Sequence, residues 1–525
     1  MSGAVDQTTL IKALQNPALY DHPVSEFKVL ETHISWVLLT GDYAYKIKKP
    51  MDFGFLNFST LALRQHFCNE ELRLNKRSAP DLYLEVLPIT GSADQPALAG
   101  DGTVIEYCLR MRQFDQAGLL DKMQDQGALS AELLEELARD VAEFHAQLPT
   151  VDAVKPLGTP GAVYAAMQEN FDQIRPLLDD AGLLIQLDAL EAWTHCTYER
   201  LHDTIAERRE QGFVRECHGD LHLANITLHQ GKVTLFDCIE FNEPFRWIDT
   251  INDIAFLLMD LESRGEQRLS SLTLNTYLEY SGDYDGLALL PLYKAYRAMV
   301  RAKIALFTLG NPSLSASERA HLMLRYRAYA DLAESYSEIP NRYLLAMVGL
   351  SGSGKSVMSK ALATDLGLIR LRSDVERKRL FGLAPLDNSK SDTGAGIYTP
   401  EATAKTYQRL ATLADQLLAL GYAVVVDAAC LRQAERAQLE AIAEIEGVPF
   451  ILVECEAPEE LRRQWVSARQ ADASEAGVDL LETQKGWFEP LTDHEKNHTL
   501  LVHTEDDRVC GALAARIRAH LGIKN

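Results

Sequence analysis

The sequence predicts two folds in one chain, an α+β unit over residues 1–340 and an α/β unit with a parallel five-stranded sheet over residues 341–525. Three observations predict it. Two phosphate-handling motifs, His218-Gly219-Asp220-Leu221-His222-Leu223-Ala224-Asn225 and Gly349-Leu350-Ser351-Gly352-Ser353-Gly354-Lys355-Ser356, lie more than 100 residues apart and belong to different folds. Around Glu338-Ile339-Pro340-Asn341 the rhythm also changes, from mostly helical periodicity to alternating strands and helices.

In the first unit, strands are expected at 27–30, 36–40 and 43–48, with a tight turn at Gly41-Asp42 between the last two, then a helix over 61–77. Another strand pair is expected beyond Gly102, ending near Arg110. This gives a small lobe over about 20–112 and a helical large lobe over about 113–337, interrupted by a strand-rich stretch from Glu216 to Glu240. In the second unit, strands are expected at 343–348, 368–371, 423–427, 450–454 and 499–503, each followed by a helix. The polar segment 383–399 reads as a mobile substrate or lid loop.

Composition narrows the class. With 525 residues and 47% hydrophobic content the chain buries conventional cores and is not disordered. No leader and no apolar run near the roughly 20 residues of a membrane span stands out, so a cytoplasmic protein without a membrane partner is expected. Its 8 cysteines form no C-x-x-C pair, which fits thiols in a reducing compartment and assigns them no metal. The net charge of −23 is uneven: residues 341–525 hold 22 Lys+Arg against 26 Asp+Glu, leaving 30 against 49 before them. So acidic a first unit disfavours a nucleic-acid partner there; the near-neutral second unit leaves one open.

In the first motif Asp220 sits in a tight loop with Asn225 five residues on, the D-x-x-x-x-N spacing of kinase catalytic loops. A carboxylate beside an acceptor hydroxyl takes its proton, while Asn225 and a second acid, Asp237, hold Mg²⁺. Asp237 follows the apolar strand 233–236, where a short hairpin returns a ligand to the loop. Together with the helix Leu137-Ala138-Arg139-Asp140-Val141-Ala142-Glu143-Phe144-His145-Ala146, these residues resemble aminoglycoside phosphotransferases and related small-molecule kinases, of protein-kinase-like fold. The resemblance implies a nucleotide-binding lysine on the third strand, Lys46 or Lys48, and a glutamate on the next helix, Glu71 or Glu70, with Lys46 and Glu71 favoured. It implies that Asp253 braces the catalytic loop, a plain helix-surface position being the alternative. The usual glycine-rich loop is replaced by Glu31-Thr32-His33-Ile34-Ser35, so nucleotide grip there rests on backbone amides and the Ser35 or Thr32 hydroxyl. Asp52-Phe53-Gly54, which mimics a kinase metal motif, lies over 160 residues before the catalytic loop and reads as a turn. The basic stripe Lys294, Arg297, Arg301 and Lys303 is either an anion site or paired with carboxylates.

The second motif satisfies G-x-x-x-x-G-K-[ST] between a strand and a helix. Amides of Gly349, Ser351, Gly352, Ser353 and Gly354 converge on phosphates, Lys355 reaches the β/γ oxygens and Ser356 holds Mg²⁺. Asp374, after the second strand, is the candidate general base, with Arg377 one turn on to hold an anion; Asp427 ends the third strand as an outer Mg²⁺ ligand. Arg462, Arg463 and Arg469 lie on an apparent lid, Arg462 read as nucleotide-binding and Arg469 as catalytic. This set resembles P-loop kinases grouped with gluconate kinase, zeta toxins and polynucleotide 5′-kinases. From about Tyr20 to Leu521 the chain resembles a bacterial fusion of an aminoglycoside phosphotransferase-like kinase with an ATP-binding P-loop domain. The expectation is a bifunctional kinase using ATP and Mg²⁺ on hydroxyls of small metabolites. Its rivals are one catalytic module with an ATP-binding regulatory partner, and a C-terminal polynucleotide 5′-kinase.

Overall fold

The computed structural model describes residues 6–54, 56–338, 341–391, 395–468, 473–475, 478–505 and 509–523. Contacts divide the chain into two compact units: Met1–Leu133 with Gln147–Asp260, and Leu134–Ala146 with Leu261–Asn525.

The first unit holds an antiparallel sheet of β1 (Lys28–Glu31), β2 (Ser35–Leu39), β3 (Tyr43–Lys48), β4 (Tyr83–Gly91), β5 (Pro96–Leu98) and β6 (Val104–Arg112), in the order β1-β2-β3-β6-β4-β5. Alternation along β3 sets its two faces. Tyr45 and Ile47 join Leu10, Ile11 and Leu14 of the helix Gln7–Ala13 and its end in one core, while Ala44 packs with Leu82, Tyr83 and Leu109 in another. Lys46 and Lys48 share the Ala44 face, toward the helix Leu61–Asn75, whose first turn is capped by the Thr60 hydroxyl. The expected pair beyond Gly102 proves to be β6 alone, since its partner β4 precedes Gly102. Pro88 and Pro96 hide those strands from the sequence pattern, because a proline removes a ladder donor. At Pro88 the loss is tolerated because β5 pairs β4 only from Ile89 to Gly91.

Beyond the long helices Pro160–Ile174 and Ala181–Glu210 come β7 (Val214–Glu216), β8 (Ile226–His229), β9 (Lys232–Leu235) and β10 (Trp247–Asp249). Two antiparallel pairs result, β7 with β10 and β8 with β9. They frame the segment 217–225.

The second unit is built on a parallel sheet of β11 (Leu344–Val348), β12 (Ile369–Arg372), β13 (Val424–Asp427), β14 (Phe450–Glu456) and β15 (Thr499–His503), in the order β12-β13-β11-β14-β15. Every residue of β11 is buried, as a strand covered on both faces requires. The chain leaves β11 first toward β13 and β12, then returns toward β14 and β15. That reversal opens a crevice at the carboxyl end of β11. The edge strand β12 is covered by the helix Gln267–Ser281: Asn275 accepts from the Arg370 amide (2.7 Å) and donates to the Leu368 carbonyl (2.9 Å). Edge amides that no strand satisfies are thereby paired. Contacts thus group the helices after Asp260, which the sequence rhythm joins to the first fold, with the parallel sheet. Among the described residues no helix is long and apolar enough to cross a membrane.

Candidate functional site

In the first unit two lysines and three carboxylates converge. Lys46 Nζ lies 2.7 Å from Glu71 Oε1 and 2.6 Å from Asp237 Oδ1, and Lys48 Nζ lies 2.6 Å from Glu71 Oε2 and also bonds Glu240. Both candidate lysines therefore hold Glu71, and Lys46 alone reaches Asp237. Glu70 points elsewhere, to Arg73 at 2.8 Å. Burial opposes ionisation of Glu71, but Lys46 and Lys48 outweigh it and hold the carboxyl well below its usual range. At Glu240 burial wins over Lys48 and raises the carboxyl. The sequence does not mark Glu240 as a partner of the lysines, beyond its closeness to Asp237 in Phe236-Asp237-Cys238-Ile239-Glu240.

Asp237 adopts a left-handed backbone (φ 64°), with its amide donating to the Tyr83 hydroxyl at 3.1 Å. A non-glycine residue held there marks a site whose surroundings impose the conformation. The catalytic-loop candidate is held just as firmly. Asn225 Nδ2 donates to the Asp220 carbonyl (3.0 Å) and to Asp220 Oδ2 (2.9 Å), fixing that carboxylate. Buried Asp253 accepts from the amides of His218 (3.0 Å) and Gly219 (2.9 Å), the bracing expected of it, and Asp260 accepts from the Leu223 amide (3.1 Å). Gly219, at φ 85°, must be glycine, since a Cβ would stand 2.8 Å from the Phe245 carbonyl oxygen.

The turn Glu31–Ser35 is closed from below. Thr32 Oγ1 accepts from the Ser35 amide at 2.9 Å, and Lys49 Nζ bonds both Glu31 Oε1 and the Thr32 carbonyl at 2.7 Å. Ser35 is fully buried on the lysine face of β2, with its hydroxyl unpartnered among the described residues. Asp52-Phe53-Gly54 forms a turn, with the Gly54 amide on Asp52 Oδ1 at 2.9 Å.

In the second unit Gly349–Gly354 wraps the carboxyl end of β11 before the helix Lys355–Leu366. Gly352 (φ 74°) would drive a Cβ to 2.7 Å from the Arg462 carbonyl oxygen. Ser356 Oγ lies 3.4 Å from Asp427 Oδ1, while Arg370 Nη2 holds Asp427 Oδ2 at 2.6 Å. Burial would raise the Asp427 carboxyl; Arg370, Arg372 and Lys355 together lower it. Arg370 and Arg372 are in turn held by Glu279, at 3.4 and 3.2 Å. Lys355 Nζ donates to the Leu350 carbonyl at 2.8 Å, and the Ser351 amide donates to Gln484 Oε1 at 2.8 Å. A cavity of about 420 Å³ opens beside this loop, lined by Gly349, Ser353, Pro458, Arg462 and Phe488 among others. On two of these residues, Arg462 Nη1 and Ser353 Oγ are shielded from solvent and have no hydrogen-bond partner among the described residues. Unpaired buried donors of this kind call for an acceptor.

Asp374 is half-buried on the first turn of the helix Ser373–Leu380, with no hydrogen bond or ion pair among the described residues. Arg377 is buried and tied to the Ile397 carbonyl (3.1 Å) and Thr403 Oγ1 (3.2 Å). It therefore anchors the loop that leads into the helix Pro400–Ala419. Lys378 extends the tie: it bonds the Pro385 carbonyl and Glu475, and Glu475 accepts from the Ser389 amide at 2.8 Å. Arg463 is engaged on the surface by Glu459 (2.9 Å) and Glu482 (2.5 Å), and Arg469 lies outside the described residues. Of the basic stripe, Lys294 pairs with Glu262 at 2.6 Å and lies over the Tyr336 ring, and Arg297 is buried.

Residues 87–290 match a family model described as a phosphotransferase enzyme family, and residues 344–491 match one described as an AAA domain. The first match is thus to a phosphotransferase family, the activity class of kinases, and the second is to an AAA-type domain that contains the P-loop. Such families use ATP. An uncharacterized protein of Mycobacterium tuberculosis is 28% identical over 467 residues, covering 87% of this chain and 90% of its own. Among solved structures, an amicoumacin kinase in complex with AMP-PNP and Ca²⁺ is 16% identical, covering 62% of this chain and 93% of its own, with a TM-score of 0.40. A gluconokinase from Sinorhizobium meliloti is 20% identical, covering 35% of this chain and 97% of its own, with a TM-score of 0.26.

Proposed function

We propose that the chain is a bifunctional ATP-dependent phosphotransferase, in which the kinase-like and P-loop domains each transfer a γ-phosphate to a hydroxyl of a small metabolite. The observation that carries this reading is the joint placement of Lys46 on both Glu71 and Asp237, with Asp220 fixed by Asn225. Lys46, neutralised on one side by Glu71, presents its ammonium to phosphate oxygens. Asp220 accepts the proton of the acceptor hydroxyl, and Asn225 keeps its carboxylate aimed. In the P-loop domain, loop amides and Lys355 orient the phosphates, Arg462 on the wall of the same cavity supplies positive charge, and Asp374 is the base.

The donor sets fit Mg²⁺, a hard cation that takes oxygen ligands. The amide oxygen of Asn225 and the Asp237 carboxylate would hold it in one domain, Ser356 with Asp427 behind it in the other. When bound, it neutralises charge on the β and γ oxygens. The same reading places the protein in the cytoplasm, with small-molecule acceptors as partners.

A second reading is favoured by the turn Glu31–Ser35, whose Thr32 hydroxyl is bonded within the turn and whose Ser35 hydroxyl is buried: the kinase-like domain binds ATP as a regulator of the other. A metabolite extract with γ-labelled ATP, given to the full chain and to its Asp220→Ala and Lys355→Ala variants, separates these. Loss of a different product in each variant supports two catalytic domains. Loss of products only with Lys355→Ala supports regulation, and survival of every product in both variants overturns the proposal. Label appearing on a 5′-hydroxyl oligonucleotide, abolished by Lys355→Ala, would identify a polynucleotide kinase.

A further inference from the structure

We propose that Glu440, His494 and His498 form a transition-metal site that takes Zn²⁺, independent of either phosphate site. Their three ligand atoms lie within 4.8 Å of one another. His494 Nε2 is 2.9 Å from Glu440 Oε1, and His498 Nε2 is 3.5 Å from the same oxygen. A tetrahedral zinc with ligands at 2.0–2.1 Å separates its donors by roughly 3.3 Å, so the carboxylate already stands close to that spacing from each imidazole. Only His494 makes a hydrogen bond to that oxygen; His498 Nε2 is shielded from solvent and has no hydrogen-bond partner among the described residues. Two imidazoles and a carboxylate favour zinc and its neighbours over Mg²⁺.

The scaffold fixes this geometry. Glu440 lies one helical turn beyond Arg436 on the helix Gln433–Glu446, and Glu495 lies between the two histidines. Arg436 and Glu495 form a buried pair, Nε to Oε1 at 2.5 Å and Nη2 to Oε2 at 3.3 Å. This pair sets the register of the two segments that carry the ligands. Thr492 caps the short helix Asp493–Lys496 by accepting from the Glu495 amide, and the His498 carbonyl accepts from Leu452 at 3.0 Å, holding the second histidine against β14. The ligands therefore need little ordering on binding, which is what preorganisation contributes to affinity. The site lies at the amino end of β15, whereas the P-loop follows the carboxyl end of β11 in the same parallel sheet. A metal here clamps the helix to the start of β15 and takes no part in phosphate chemistry. Three protein ligands leave a fourth position for water, and the cluster reaches the surface, His494 being 72% exposed.

The test is Zn²⁺ titration of the chelator-treated full chain in Mg²⁺ buffer, by equilibrium dialysis and by Co²⁺ absorption, with His494→Ala and Glu440→Gln alongside. Wild type is expected to bind one Zn²⁺ more per chain than either variant, or to bind it at least about 10–100-fold more tightly, the cost of disturbing even an outer partner of a metal. The intense visible bands of tetrahedral Co²⁺ are expected in wild type and not in the variants. His494 is exposed, so its removal leaves the fold intact, and a thermal melt without metal checks this. Equal Zn²⁺ stoichiometry and affinity in wild type and both variants, or no stoichiometric Zn²⁺ in wild type, overturns the proposal.

Discussion

The two phosphate sites are built from different materials. The P-loop draws on eight consecutive residues, Gly349 to Ser356, whose backbone does the holding, while the kinase-like site joins side chains separated by as many as 192 residues, as in Lys48 and Glu240. One is a local conformation and the other a tertiary assembly. It follows that the first tolerates change in its surroundings but not in its glycines, and the second is only as good as the burial that keeps its charges paired.

The largest expected effect is kinetic. Asp220→Ala should lower transfer by the kinase-like domain about 10²–10⁴-fold with nucleotide affinity nearly unchanged, measured by turnover alongside calorimetric ATP binding. A fall in affinity that matches the fall in turnover would erase the distinction between a base and a binding residue. Glu71→Ala should cost about 3–5 kcal/mol in denaturant unfolding, because it removes the carboxylate shared by Lys46 and Lys48, the latter 1% exposed. The pH dependence of that loss has a definite sign. Glu71 is held below its unfolded value of about 4.3, so its contribution is complete above that pH and is lost as pH falls toward its folded value. Glu71→Gln should flatten acid unfolding in that window. Gly352→Ala should cost about 1–3 kcal/mol of local strain and weaken nucleotide binding to the P-loop domain roughly tenfold, with the kinase-like domain unaffected. The smallest effect is expected of Lys49→Ala, under about 1 kcal/mol, since its partner Glu31 is 57% exposed.

What the sequence discloses follows the same division. The P-loop is legible because its chemistry is local, and strand alternation places Lys46 and Lys48 on one face. Alternation does not choose between them, and the structure shows why: Glu71 takes both, one on each oxygen. Arg377 read as an anion holder because a charge one turn from Asp374 is visible in sequence, whereas its burial against Ile397 and Thr403 is not. Glu279 and Asn275, which steady Arg370 from another helix, carry no sequence signal, since polar residues on an amphipathic helix look the same whether they meet water or a sheet edge. Strands β4 and β5 escaped because their prolines break the alternating pattern.

The Asn275 amide that seals the rim of β12 has a practical corollary for anyone dividing the chain. A cut at residue 341, where the sequence rhythm breaks, removes this stopper along with its helix and leaves a bare strand ready to recruit other chains. A fragment beginning at Leu261 keeps its own plug, and of the two is the one expected to stay in solution.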